Sequence, residues 1–298
     1  MAGSRIFLFV LVVLLRAPYA VLAQASHEAV ALTPNVVLAG SPELIRVIAP
    51  GAQAVEGVWL GRDVQFFRSA ARGVWIALAG VDVEAAVGPS ELHITAHGEG
   101  KDLDLSRAIE IHAAHYRTGA LTVSPKFVQP PPEALDEINA ESKIKEKIFS
   151  ASADKPLWSG NFHAPVASAA TDSFGTRRMF NGKLASIHKG ADFRAAAGTP
   201  VRASNSGVVV LARPLYYEGN CVIIDHGMGL FTLSMHFSRI DVHEGQHVKA
   251  GDRLGLSGAT GRVTGPHLHW AVRWQGAYLD PVKLLRLNLD AVRSPVTR

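Results

Sequence analysis

Apolar and polar positions along this chain fall into three successive patterns. From Val30 to about Val123, short β-branched runs alternate with polar residues: Leu44 to Ile48, Gly57 to Leu60, Val74 to Leu78 and Leu92 to Thr95. Turn signals such as Ala49-Pro50-Gly51 and Val87-Gly88-Pro89-Ser90 separate them, which predicts strands at the spacing of a small immunoglobulin-like β-sandwich. Next, Gln129-Pro130-Pro131-Pro132 stiffens the chain. The stretch from Glu133 to Ser150, rich in Glu and Lys, then carries only a loose apolar stripe at Leu135, Ile138, Ile144 and Ile148, which predicts an exposed helix acting as spacer or lid. From Trp158 to about Leu287 the pattern becomes glycine-punctuated strands: Gly207 to Leu211, Cys221 to Ile224, Leu230 to Leu233, His247 to Lys249 and His267 to Val272. Such punctuation suits a compact, twisted antiparallel β-domain.

The predicted fold class is therefore mainly β, with an N-terminal β-sandwich over 27–125, a Pro-rich and helical linker over 126–157, and a C-terminal β-domain over 158–287. The first residues follow another logic. Arg5 precedes the apolar run Ile6 to Leu15, and small residues follow up to Ala23, which predicts a secretory signal over 1–23 cut after Ala23 or Ala25. An uncleaved anchor is the competing reading; the run is short for a span, so no stable membrane span is expected once the signal is cut. Export places the protein in the periplasm or cell envelope. Cys221 is the single cysteine, so an internal disulfide is excluded and packing must supply the stability. Loss of Arg5 and Arg16 with the signal leaves a formal charge of +2 out of +4, with no basic run of the kind that binds nucleic acid. Nothing in the sequence sets the oligomeric state.

The candidate chemistry lies in the third segment. His188 and Asp192 stand four apart around Gly190. On a continuous strand their side chains would lie about 13 Å apart, so a glycine bend is needed to bring them together. His267 and His269, two apart on an alternating segment, share one face at roughly 7 Å, which suits one histidine on a metal and one toward a substrate. His236 adds another imidazole near the end of the segment that starts at Leu230. Two His and one Asp with an open fourth position make a catalytic zinc set, and two further imidazoles supply proton transfer; the chemistry implied is amide hydrolysis.

The ordered series His188-x-Gly-x-Asp192, Gly198-Thr-Pro-Val201, His226-Gly227, His236, Gly245-x-x-Val-x-x-Gly251, Gly258-x-Thr-Gly261 and Gly265-Pro-His-Leu-His269 resembles the LytM/lysostaphin-type metallopeptidases, over roughly 174–281. The resemblance implies a zinc ion on His188, Asp192 and His269, with His236 and His267 flanking the water and the scissile carbonyl. It also implies a peptidoglycan endopeptidase acting on stem-peptide cross-links, either D-alanyl to diaminopimelyl bonds or glycine bridges. The alternative is a non-catalytic LytM-type activator of another wall hydrolase, a kind that has usually lost metal ligands. One departure from the family pattern is Ser234-Met-His-Phe237, where Tyr-x-His-Leu is common. Arg177, Arg178 and Lys183 are candidates either for stem-peptide carboxylates or for a solvated loop.

Overall fold

A computed structural model describes residues 29–121, 124–180 and 183–289. The signal peptide expected over 1–23 lies outside the described residues.

The N-terminal region consists of two sheets. One orders Val30–Thr33, Pro42–Ile48, Val74–Gly80 and Phe67–Arg68; the other orders Val37–Leu38, Leu103–His112, Gly88–His97, Ala54–Trp59 and Arg62–Gln65. Alternation explains the inward set: Ile45 and Val47 on one strand and Leu92, Ile94 and Ala96 on another are buried. Three of the four strands expected from the sequence lie within longer ones, and the fourth, Gly57 to Leu60, lies within Ala54–Trp59 except for Leu60, which takes a φ of 52° in the following turn. The turn expected at Val87 to Ser90 is instead the start of the strand Gly88–His97. Gly88 takes a φ of 123°, which lets the chain enter the ladder beside Pro89, whose place near the strand end spares a central hydrogen bond.

The C-terminal region is dominated by one antiparallel sheet. Its order is Ala170–Asp172, Ala191–Phe193, Leu268–Trp274, Leu230–Ile240, Gly219–Asp225, Gly207–Leu215 and His247–Val248, with Pro200–Arg202, Arg253–Ser257 and Ala277–Leu279 attached. Leu268, Trp270, Val272 and Trp274 point alternately into a core that continues without a break to Ile45, Ala77 and Ile94 of the N-terminal sheets. The seam is also hydrogen-bonded. Asp280 N–H donates to the Gly40 carbonyl at 2.7 Å and Tyr278 N–H to the Asp82 carboxylate at 2.7 Å. A Cβ on Gly80 would lie 2.4 Å from Leu279, so only glycine lets the two regions close this tightly.

A helix forms over Pro132–Phe149, with Pro131 as an extended cap and Pro132 in the first turn, where a missing N–H costs nothing. It is not the solvated spacer that its weak stripe predicts. Ile144, Ile148 and Phe149 pack on Leu211, Leu215, Ile223, Phe231 and Leu233 of the C-terminal sheet. Two polar side chains on the same helix face complete the docking: the Glu141 carboxylate accepts Tyr216 N–H at 2.9 Å, and Lys145 pairs with Glu218 at 2.5 Å. Leu135, counted in the stripe, is 46% exposed. No helix among the described residues is long and apolar enough to cross a membrane.

Candidate metal centre

Asp192 sits between Ala191 and Phe193, both buried in the core, so alternation aims its carboxylate at the opposite face. His269 is placed the same way between buried Leu268 and Trp270, and the ladder makes Asp192 and His269 direct partners across two strands. His188 precedes the strand and reaches them by a bend at Gly190. That bend tolerates no side chain, because a Cβ on residue 190 would lie 2.4 Å from His269 Nε2. His188 Nε2 thereby stands 3.1 Å from Asp192 Oδ1 and 3.0 Å from His269 Nδ1, with His269 Nδ1 2.8 Å from Asp192 Oδ1. All three residues are at most 9% exposed. Two imidazole nitrogens and a carboxylate oxygen held this close, with little water to screen them, make a donor set that fits a divalent transition metal.

Two more imidazoles complete the group. His236 follows Met235, the cross-strand partner of His269, and takes a φ of 67°, a left-handed conformation that costs energy for a non-glycine residue and marks a locally constrained site. Its ring centroid lies 5.0 Å from that of His267 and 6.1 Å from that of His269. His267 Nε2 is 3.6 Å from Asp192 Oδ1. A backbone carbonyl can only accept, and this fixes the tautomers. Nδ1–H of His188 donates to Ser173 O at 3.0 Å, that of His236 to Thr260 O at 2.8 Å and that of His267 to Gly265 O at 2.8 Å. In each ring this leaves the Nε2 lone pair for the chemistry.

Electrostatics follow from burial. Burial pushes the Asp192 carboxyl up, but its hydrogen bonds and charge interactions with His188 and His269 outweigh this and hold it well below the usual carboxylate range. Burial lowers His236 to about 3, with repulsion between protonated imidazoles working in the same direction, and lowers His269 to about 4 against the pull of Asp192. Both rings are neutral at physiological pH, the form that binds metal or accepts a proton.

Arg178, read from the sequence as a candidate for stem-peptide carboxylates or for a solvated loop, is no solvated loop residue: its Nη2 contacts Asp192 Oδ2 at 2.6 Å while Oδ1 faces the histidines, so each carboxylate oxygen has its own task. Arg177 is exposed, and the Lys183 side chain lies outside the described residues. A pocket of about 480 Å³ opens over Asp192, His236 and His267, with Arg117, Arg178 and Arg262 in its walls. Arg117 comes from the N-terminal region, beside a strand, Thr118–Leu121, that pairs in parallel with Arg177–Phe180. His226 lies apart from this cluster, wholly buried between Ser206 O and the Thr232 hydroxyl.

Residues 186–281 match the model for peptidase family M23. The C-terminal region carries a peptidase family M23 domain. Among curated proteins, the chain is 46% identical over 112 residues to the peptidoglycan DD-endopeptidase ShyA of Vibrio cholerae, covering 38% of this chain and 25% of ShyA. It is 43% identical over 98 residues to the DD-carboxypeptidase/endopeptidase Mpg of Neisseria meningitidis, covering 33% of this chain and 23% of Mpg. The chain thus spans about a quarter of the length of these relatives. The likeness to a Pseudomonas aeruginosa crystal structure assigned to peptidase M23 extends beyond the M23 domain, with a TM-score of 0.65 at 27% identity over 83% of this chain and 94% of that one.

Proposed function

We propose that this protein is an exported zinc endopeptidase that hydrolyses peptide cross-links of peptidoglycan. The observation that carries the reading is the convergence of His188 Nε2, Asp192 Oδ1 and His269 Nδ1 within an M23 domain, with His236 and His267 facing the same space. The names of the relatives support the substrate class. The apolar run Ile6 to Leu15 supports export, since the wall lies outside the cytoplasm.

His188, Asp192 and His269 would hold the zinc ion, which supplies Lewis acidity at the scissile carbonyl and the attacking water. Arg178, bonded to Asp192 Oδ2, keeps the other carboxylate oxygen turned toward the histidines. His236 and His267 hold their Nε2 atoms in the pocket through the Thr260 and Gly265 carbonyls, poised to accept a proton from the water and return one to the leaving amine. Burial makes His236 a weak base, and the negative charge that develops on the substrate raises its proton affinity when the proton moves. The ring that has become an imidazolium then donates to the departing nitrogen. An activator without catalysis would need none of this machinery, and every ligand and proton-transfer position is occupied here.

The test is digestion of purified, cross-linked wall material with the zinc-loaded protein and mass spectrometry of the released ends. New amine and carboxyl termini at the cross-link, lost in His267→Ala while zinc stays bound, support the proposal. Intact cross-links after exhaustive digestion with stoichiometric zinc contradict it.

A further inference from the structure

His236 is held from two sides. Its backbone N–H donates to the Glu218 carbonyl at 3.0 Å and its Nδ1–H to the Thr260 carbonyl at 2.8 Å. Along the ladder Asn220 pairs with Phe237 and Val222 with Ser234, so Met235 and His236 together stand opposite Cys221, a bulge that re-aims the imidazole toward the pocket. A left-handed φ at a non-glycine residue persists only where the surroundings enforce it. Here the surroundings are the turn 216–218 and the two residues after it. Glu218 supplies the carbonyl, and Asn220 N–H donates to the Thr260 hydroxyl at 2.9 Å. That hydroxyl and the Asn220 side-chain amide each donate to the Phe237 carbonyl at 2.9 Å. A Cβ on Gly219 would lie 2.4 Å from Thr260, so the turn and the second support are packed against each other.

The outer side of the same turn is gripped by the helix Pro132–Phe149. Glu141 and Lys145, four apart and so on one helix face, both reach it. The two Glu141 carboxylate oxygens lie 2.9 and 3.0 Å from Tyr216 N, and Lys145 Nζ lies 2.5 Å from Glu218 Oε1. Burial by itself would lower the Lys145 pKa, but pairing with Glu218 outweighs it, so the ammonium stays charged. Burial raises the Glu141 pKa and the charge of Glu218 works in the same direction, so two carboxylates share one field and Lys145 is the cation that joins them. Ile144, Ile148 and Phe149 already fasten the helix to the sheet. A buried ion pair is a costly way to add stability, and what it adds here is a defined geometry at the turn. We propose that Lys145, together with Glu141, is a positioning residue: from the helix it fixes the turn 216–218, so that the Glu218 carbonyl keeps His236 in its left-handed conformation with Nε2 in the pocket. The inference rests on the hydrolysis proposed above, in which His236 moves a proton. Without Lys145 the two carboxylates push turn and helix apart, and a catalytic group misplaced by about an ångström loses on the order of 100-fold in rate.

The experiment uses the zinc-loaded full chain, a purified cross-linked muropeptide dimer, and hydrogen exchange read by mass spectrometry on a peptide spanning His236. In Lys145→Met, kcat is expected to fall about 10- to 100-fold, with KM within about twofold of wild type and zinc still stoichiometric. The His236 amide should exchange about tenfold faster or more, because its acceptor has moved. Lys145→Met/Glu218→Gln, which removes the stranded charge, should regain about fivefold or more of the lost kcat. Glu141→Ala should lower kcat about 3- to 30-fold in the same pattern, and it carries the test if Lys145→Met does not fold. Phe149→Ala loosens the far end of the helix and should leave kcat within about twofold of wild type. Wild-type kcat with an unchanged His236 amide in folded Lys145→Met or Glu141→Ala overturns the inference and leaves hydrolysis standing. An equal fall of kcat in Phe149→Ala also overturns it, since the helix would then act as a whole and not through these two side chains. No cleavage by the wild type with stoichiometric zinc removes the proposed function, and this inference with it.

Discussion

One face of the C-terminal sheet has two fates. Along the strand Leu268–Trp274, His269, Ala271 and Arg273 share that face. At one end His269 meets His188 and Asp192. Two residues on, Ala271 lies in the apolar cluster beneath the helix Pro132–Phe149, and after two more the Arg273 guanidinium stacks 4.0 Å from the centre of the Phe149 ring. The covered end is stabilised by apolar burial and needs little polar precision. Among the described residues no helix covers the open end, where the donor atoms of His188, Asp192 and His269 lie 2.8 to 3.1 Å from one another. The helix thus limits the open part of the sheet face, covering it up to the point where His269 meets His188 and Asp192.

Single substitutions should act most severely at the open end. His188→Ala or Asp192→Ala should abolish both metal binding and hydrolysis while the helix stays docked; metal analysis and muropeptide digestion check the first part, and far-UV circular dichroism the second. Gly190→Ala is subtler, since its methyl group would overlap the His269 ring. Metal affinity should fall about 10- to 100-fold, the scale of a disturbed ligand shell, in a competition titration with a chromogenic chelator.

His226 sharpens the contrast by supplying a buried imidazole that is structural. Burial lowers it from the ordinary 6.5 to about 4, with both ring nitrogens bonded inside the protein. Because the folded value lies below the unfolded one, its contribution to stability is complete above pH 6.5 and is lost as pH falls from 6.5 toward 4. The loss should reach up to about 3 kcal/mol by pH 4, seen as an acid-side fall in denaturant midpoint that is reduced in His226→Gln. At the covered end, Phe149→Ala should cost about 1–3 kcal/mol of stability and expose residues 150–157 to limited proteolysis, with zinc stoichiometry unchanged.

Much of the open end was legible in the sequence because its signal is local. A glycine between His188 and Asp192 announces the bend, and the two-residue step from His267 to His269 announces a shared site. The walls were not legible. Arg178 reaches Asp192 from a strand of a different sheet, and Arg262 meets Tyr217 across 45 positions of sequence, contacts that no spacing rule encodes. The helix was found within a residue of its expected limits, but its docking was missed because Glu141 and Lys145 carry it alongside Ile144 and Ile148, and polar anchors look like solvated surface in a hydropathy pattern. The strand at Gly88 was missed for a related reason, since glycine and proline signal a turn unless the neighbouring strand Leu103–His112 is there to pair with them.

The proposed function requires His188, Asp192 and His269 to act as one zinc site that powers hydrolysis. Stripping the purified protein with a strong chelator and titrating zinc back against cross-link cleavage tests it most directly. Activity should vanish on stripping and return with a break at one equivalent, and His269→Ala should show neither the break nor the activity. Undiminished cleavage by the stripped protein, or a one-equivalent break that survives in His269→Ala, would contradict it.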